Sequence, residues 1–148
     1  MEMQTPHRPK VLVLDEIPSV IRVIELELAI QGFEVSGCEV GDATFAAVES
    51  AQPDVIVLEV LLPGITGFEM MRSLKARFSI PIVFLTTSDS DGDRAEAYEL
   101  GADDYITKPF DPSDLGRRIS ALLGLSAGAL CSMTGGRISS SGFDIRRS

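Results

Sequence analysis

Cysteine and histidine are scarce in this 148-residue chain: it has two cysteines, Cys38 and Cys131, and one histidine. A zinc site needs several such ligands close together, and their number here excludes one. The cysteines lie far apart and read as free thiols in a reducing compartment. Long apolar runs are also lacking, and none approaches the ~20 residues of a membrane span. The opening MEMQTPHRPK has no apolar core of the kind a secretory signal needs, so the cytoplasm is the expected location and no membrane partner is expected. Basic residues are the third shortage. Lys and Arg number 13 against 22 Asp and Glu, for a net charge of -9. Residues 125–148 carry +2 of their own (Arg137, Arg146 and Arg147 against Asp144), which leaves -11 on the rest. Phosphate contacts need Lys and Arg, so the main domain is not expected to bind nucleic acid. A metal cation or a basic partner surface suits it better.

What is present is ordinary for a folded domain. The chain is 45% hydrophobic and 24% charged, which fits one soluble globular unit at this length. Lys10 opens VLVLD, a short buried strand by its length and β-branching. Pro18 suits a first helical turn, Val20, Ile21, Ile24 and Leu28 recur at helical spacing, and Gly32 stops that helix. Phe33 to Val40 alternates apolar and polar residues, the pattern of an exposed edge strand. Asp42 is placed to cap a helix through Ser50. Asp54 to Val60 reads as a third strand. The helix after Gly67 presents Phe68, Met71, Leu74 and Phe78 on one face. Ile80 to Thr86 forms a fourth strand, an acidic helix runs to Leu100, a short strand lies within ADDYITKPF, and Pro112 to Leu123 is amphipathic. Five strands alternating with five helices, three of the strands almost wholly apolar, predict an α/β (βα)5 doubly wound parallel sheet. Beyond Gly124 the texture changes: half of residues 125–142 are Gly or Ser, the composition of a linker or tail.

Chemistry gathers where such sheets place their sites, at the carboxyl ends of the strands. Asp15 and Glu16 follow the first strand, Glu59 is near the end of the third, Thr86 ends the fourth, and Lys108 precedes Pro109 after the fifth. Neighbouring strands are ~4.8 Å apart, so these groups can converge. Three carboxylates together need a cation, and oxygen ligands point to magnesium or a similar hard ion. Each residue also has a plainer reading. An acid after a parallel strand caps the next helix, Thr86 simply ends a strand, Tyr105 packs, and Lys108 lies in a solvated turn. Glu59 resists such a reading, because a carboxylate in an apolar strand is costly unless paired. A flavin carrier would have Ser, Thr and Gly after the first strand, where Asp15-Glu16 would repel phosphate. A haloacid-dehalogenase-type phosphatase would have a second acid two residues after its nucleophile, and Ile17 stands there instead.

The segments VLVLDE, DVIVLEVLLPGITGFE, PIVFLTTSD and ELGADDYITKPF, in that order and spacing, resemble the response-regulator receiver domain of bacterial two-component systems. The likeness covers residues 10–124 and is strongest to the OmpR/PhoB subfamily. It implies a flavodoxin-like sheet of order 2-1-3-4-5 and a signalling domain that is not an enzyme. It implies a magnesium site from Asp15, Glu16, Glu59 and the Leu61 carbonyl, weakened or altered by Glu59. It gives Thr86, Tyr105 and Lys108 the phosphoryl and switch roles, Tyr105 as the aromatic that turns inward on activation, with a cis bond to Pro109. Glu59 stands where the family has its phosphoacceptor aspartate, so normal aspartyl phosphorylation is not expected, and a phosphomimetic or phosphorylation-independent state is. Arg94, Asp103, Asp104 and Arg118 match a charged face that pairs across a symmetric dimer. The implied partners are a sensor histidine kinase or another regulatory protein, with control of a DNA-binding transcriptional output. A stand-alone pseudo-receiver that binds a protein constitutively is the other reading. The end of the chain, SSSGFDIRRS, is either a tail or the start of a winged-helix DNA-binding domain.

Overall fold

The computed structural model describes residues 8–62 and 64–125. Side chains within the apolar runs alternate between two faces, and that alternation organises the architecture. Strands β1 (Lys10–Leu14), β2 (Glu34–Cys38), β3 (Val55–Leu58), β4 (Ile82–Thr86) and β5 (Asp104–Thr107) form one sheet in the order β2-β1-β3-β4-β5. Every pairing is parallel. One face sends Val11, Val13, Val55, Val57, Val83 and Leu85 against Ile24 and Leu28 of α1 (Pro18–Ile30) and Leu115 and Ile119 of α5 (Pro112–Leu122). The other sends Leu12, Leu14, Ile56, Leu58 and Phe84 against α2 (Thr44–Ala51), α3 (Gly67–Arg77) and α4 (Asp91–Glu99). Both faces are therefore covered, as the continuous apolar runs required.

Helix ends follow their local chemistry. Pro18 opens α1, and Gly32 at φ 102° ends it in a conformation that disfavours other residues. Thr66 and Glu69 form a reciprocal capping box on α3. Ser90 caps α4, and Asp111 caps α5.

Several expected boundaries move. Asp42 does not cap α2: the helix begins at Thr44, whose hydroxyl instead accepts the Gly41 N–H at 2.9 Å. Phe33 lies outside β2 and is fully buried among the α1 and α5 side chains. Pro81 has no N–H to give a ladder, and β4 starts after it, at Ile82. Glu59 and Val60 lie past the end of β3, although the Glu59 N–H still reaches the Leu14 carbonyl at 3.2 Å. The expected tail lies, beyond Leu125, outside the described residues.

Candidate functional site

Sheet register brings the key side chains together. Leu14 pairs with Leu58, Leu58 with Phe84, and Phe84 with Tyr105. The next residues after the first pair are Asp15 and Glu59, which leave the sheet side by side. Both are buried, at 3% and 5% exposure. Lys108 comes in from the end of β5 through a cis peptide bond to Pro109. Its Nζ donates to Glu59 Oε1 at 2.8 Å and to Asp15 Oδ2 at 3.0 Å. The second oxygens are also engaged: Asp15 Oδ1 accepts the Ile17 N–H at 3.1 Å, and Glu59 Oε2 accepts the Leu61 N–H at 2.9 Å.

Burial opposes the charge on Lys108, but the hydrogen bonds and attraction of Glu59 and Asp15 outweigh it and raise the ammonium pKa. A buried triad of this kind is stable only when every member is bonded, and here every member is.

Beside it lies a second group. Thr86 is fully buried, and its hydroxyl accepts the Ser88 N–H at 3.1 Å. Tyr105 is turned inward, 2% exposed, with its hydroxyl donating to the Ser88 carbonyl at 2.8 Å. Burial raises the Tyr105 pKa above the ordinary phenol value. The Arg94 guanidinium lies 4.7 Å from the Tyr105 ring centre and donates to the Tyr105 carbonyl at 3.2 Å. Ser88 thus joins Thr86 and Tyr105 through its backbone, and it also donates its hydroxyl to Asp93. Sequence reasoning passed over Ser88, Ile17 and Leu61 N–H as partners, because a backbone donor or acceptor leaves no mark in residue type.

The charged face is paired within the chain. Arg118 holds both carboxylate oxygens of Asp104, at 3.0 and 3.1 Å, and reaches Asp114 as well. Asp103 pairs with Lys75 at 3.5 Å and accepts the Ile82 N–H.

A hard divalent cation would find oxygen donors of the right kind here, but not in the arrangement it needs. Glu16 is exposed, and among the described residues no three acidic, histidine or cysteine side chains are grouped to hold a metal. Lys108 already spans one oxygen each of Asp15 and Glu59.

A family model described as the response regulator receiver domain matches residues 11–120. The alkaline phosphatase synthesis transcriptional regulatory protein PhoP of Bacillus subtilis (strain 168) is 36% identical over 115 residues, 77% of this chain and 48% of that protein. The probable transcriptional regulator ycf27 of Cyanophora paradoxa is 36% identical over 117 residues, 79% of this chain and 49% of that one. The chain spans about half the length of these curated relatives. Among solved structures, the BeF3-activated N-terminal receiver domain of Klebsiella pneumoniae RstA superposes with a TM-score of 0.73 at 32% identity, covering 77% of this chain and 97% of that one. The match runs from the first strand into the last helix and takes in the pocket between them, and the chain belongs to the response regulator receiver domain family.

Proposed function

We propose that this chain is the signal-input domain of a response regulator whose pocket is held in a phosphorylation-independent state by Glu59. The observation that carries this is the fixed Glu59 carboxylate, with Oε1 on Lys108 and Oε2 on the Leu61 N–H. Transfer of a phosphoryl group needs an oxygen in line with the donor, placed to within about 1 Å. Glutamate extends the carboxylate by one carbon, ~1.5 Å, and both of its oxygens are already committed. The inward Tyr105 supports an active-like output surface, since the family resemblance ties that orientation to activation. One carboxylate does not reproduce the three oxygens and added charge of a phosphoryl group, so the mimicry rests on Lys108 and Tyr105 and not on shape alone.

The names of the relatives support a transcriptional output, and membership of the receiver family supports a sensor histidine kinase or another regulatory protein as upstream partner, with the cytoplasm as the place where they meet. The charged face of α4, β5 and α5, with Arg94, Asp103, Asp104 and Arg118, supports weak dimerisation. The domain signals and has no turnover of its own. A constitutive protein-binding module without phosphorelay input is the second reading, favoured by the same engaged carboxylate.

The test is incubation with acetyl phosphate and magnesium followed by intact-mass measurement. The natural chain should gain no phosphoryl mass, and Glu59→Asp should gain one. Efficient labelling of Glu59 would sink the proposal.

A further inference from the structure

Two buried carboxylates side by side demand a cation. In this pocket the chain supplies it. Lys108 Nζ lies 2.8 Å from Glu59 and 3.0 Å from Asp15, and its side chain is itself only 12% exposed. The two oxygens it leaves are taken by the N–H groups of Ile17 and Leu61. All four carboxylate oxygens therefore hold a donor. The length of Glu59 allows this: Oε1 reaches across to Lys108 while Oε2 still returns to the backbone two residues on.

A magnesium ion needs near-ideal octahedral geometry at about 2.0–2.1 Å and sheds water reluctantly. On Asp15 Oδ2 and Glu59 Oε1 it would lie within about 5 Å of the Lys108 ammonium, where like charges repel. On the other two oxygens, Asp15 Oδ1 and Glu59 Oε2, it would have to share each oxygen with the N–H donor already on it. Glu16, the remaining acid of the expected ligand set, is exposed.

We infer that Lys108 is the resident cation of this pocket, and that the Glu59–Lys108–Asp15 triad takes the place of a divalent metal. This deepens the proposed function by naming what holds the pocket in its phosphorylation-independent state.

The experiment uses the 148-residue chain, isotope-labelled for NMR, with Mn2+ as the paramagnetic probe. The backbone amides of Ile17 and Leu61 report directly on the two carboxylates they bond. In the natural chain they should broaden no more than amides elsewhere on the acidic surface, up to millimolar Mn2+. In Glu59→Asp, which keeps the ammonium and shortens the acid, they should broaden saturably, with Mn2+ bound at least about tenfold more tightly than in the natural chain. Lys108→Met should do the same by removing the competing charge. Saturable broadening of Ile17 and Leu61 in the natural chain overturns the inference, as does equal Mn2+ affinity of the natural chain and Glu59→Asp. A natural chain that binds Mn2+ there yet gains no phosphoryl mass sinks this inference alone. Labelling of Glu59 by acetyl phosphate sinks the proposed function instead.

Discussion

Among single residues, Lys108 holds the greatest leverage on the pocket. It is the ammonium shared by two buried carboxylates, and removing one member of a buried pair leaves an uncompensated charge. Lys108→Met should therefore destabilise the fold by about 3 kcal/mol, read from urea unfolding at neutral pH. Glu16→Gln, at an exposed position, should change stability by less than about 0.5 kcal/mol. Alkaline pH probes the same group. The Lys108 pKa is raised in the folded chain, against burial, by Glu59 and Asp15. Its stabilisation is thus complete below the unfolded lysine value of about 10.4 and is lost as pH rises through the higher folded value. Stability measured above that window should fall in the natural chain, and this component of the fall should be missing in Lys108→Met. The acid at the end of an apolar strand was legible in the sequence, because nothing else explains a carboxylate there. Its bonding was not. Whether Glu59 meets Lys108, Thr86 or a metal depends on torsions that one residue letter does not encode, and Thr86 bonds Ser88 instead.

Among elements, the junction of β3 and α3 fixes where Glu59 stands. Gly67 opens α3, and a Cβ there would overlap the Glu59 carbonyl oxygen and lie 2.7 Å from Val60 Cα. Both are backbone atoms of the segment that carries the site, so relief requires moving that segment. Gly67→Ala should cost about 1–3 kcal/mol and shift the Leu61 amide resonance. Gly116 in α5 is the contrast. A Cβ there meets the end of the Gln31 side chain, which can swing aside. Gly116→Ala gives up the Gln31 bonds to Glu27 and Pro112 but gains up to about 1 kcal/mol of helix propensity, so its unfolding midpoint should stay close to that of the natural chain. All ten elements were legible in order, because the apolar runs and the Gly and Pro breaks are strong local signals. Their ends were less so. Val60 and Phe33 are as apolar as any strand residue, yet both lie outside the ladder, whose last β3 pairs are those of Leu58 with Leu14 and Phe84 and whose first β2 pair is that of Glu34 with Lys10. Asp42 was a reasonable cap by type, but the chain enters α2 two residues later and Thr44 closes the turn.

At the scale of the whole molecule, charge governs association. The chain carries -9, so two copies repel at long range. The dimer proposed through α4, β5 and α5 must overcome that repulsion with pairs that are already satisfied within each chain, as Arg118 with Asp104 and Lys75 with Asp103 show. Exchanging such pairs across an interface gains little, because each exposed pair is worth about 0.2–1 kcal/mol wherever its partner resides. Salt acts on the two terms at different ranges. At ~0.01 M the screening length is ~30 Å, and whole-molecule repulsion is felt fully; at ~0.15 M it is ~8 Å, and that repulsion fades while pairs in contact persist. Near 1 M the length falls to ~3 Å and the contact pairs weaken as well. Dimerisation measured by sedimentation equilibrium should therefore be weak throughout, strongest at intermediate salt and weaker on either side. Arg118→Ala, which removes the bidentate partner of Asp104, should flatten that maximum without changing the monomer's unfolding midpoint by more than the ~1 kcal/mol of an exposed pair. A natural chain that stays monomeric at every salt concentration would remove the dimer and leave the pocket, with its internal cation, as the feature through which this receiver acts.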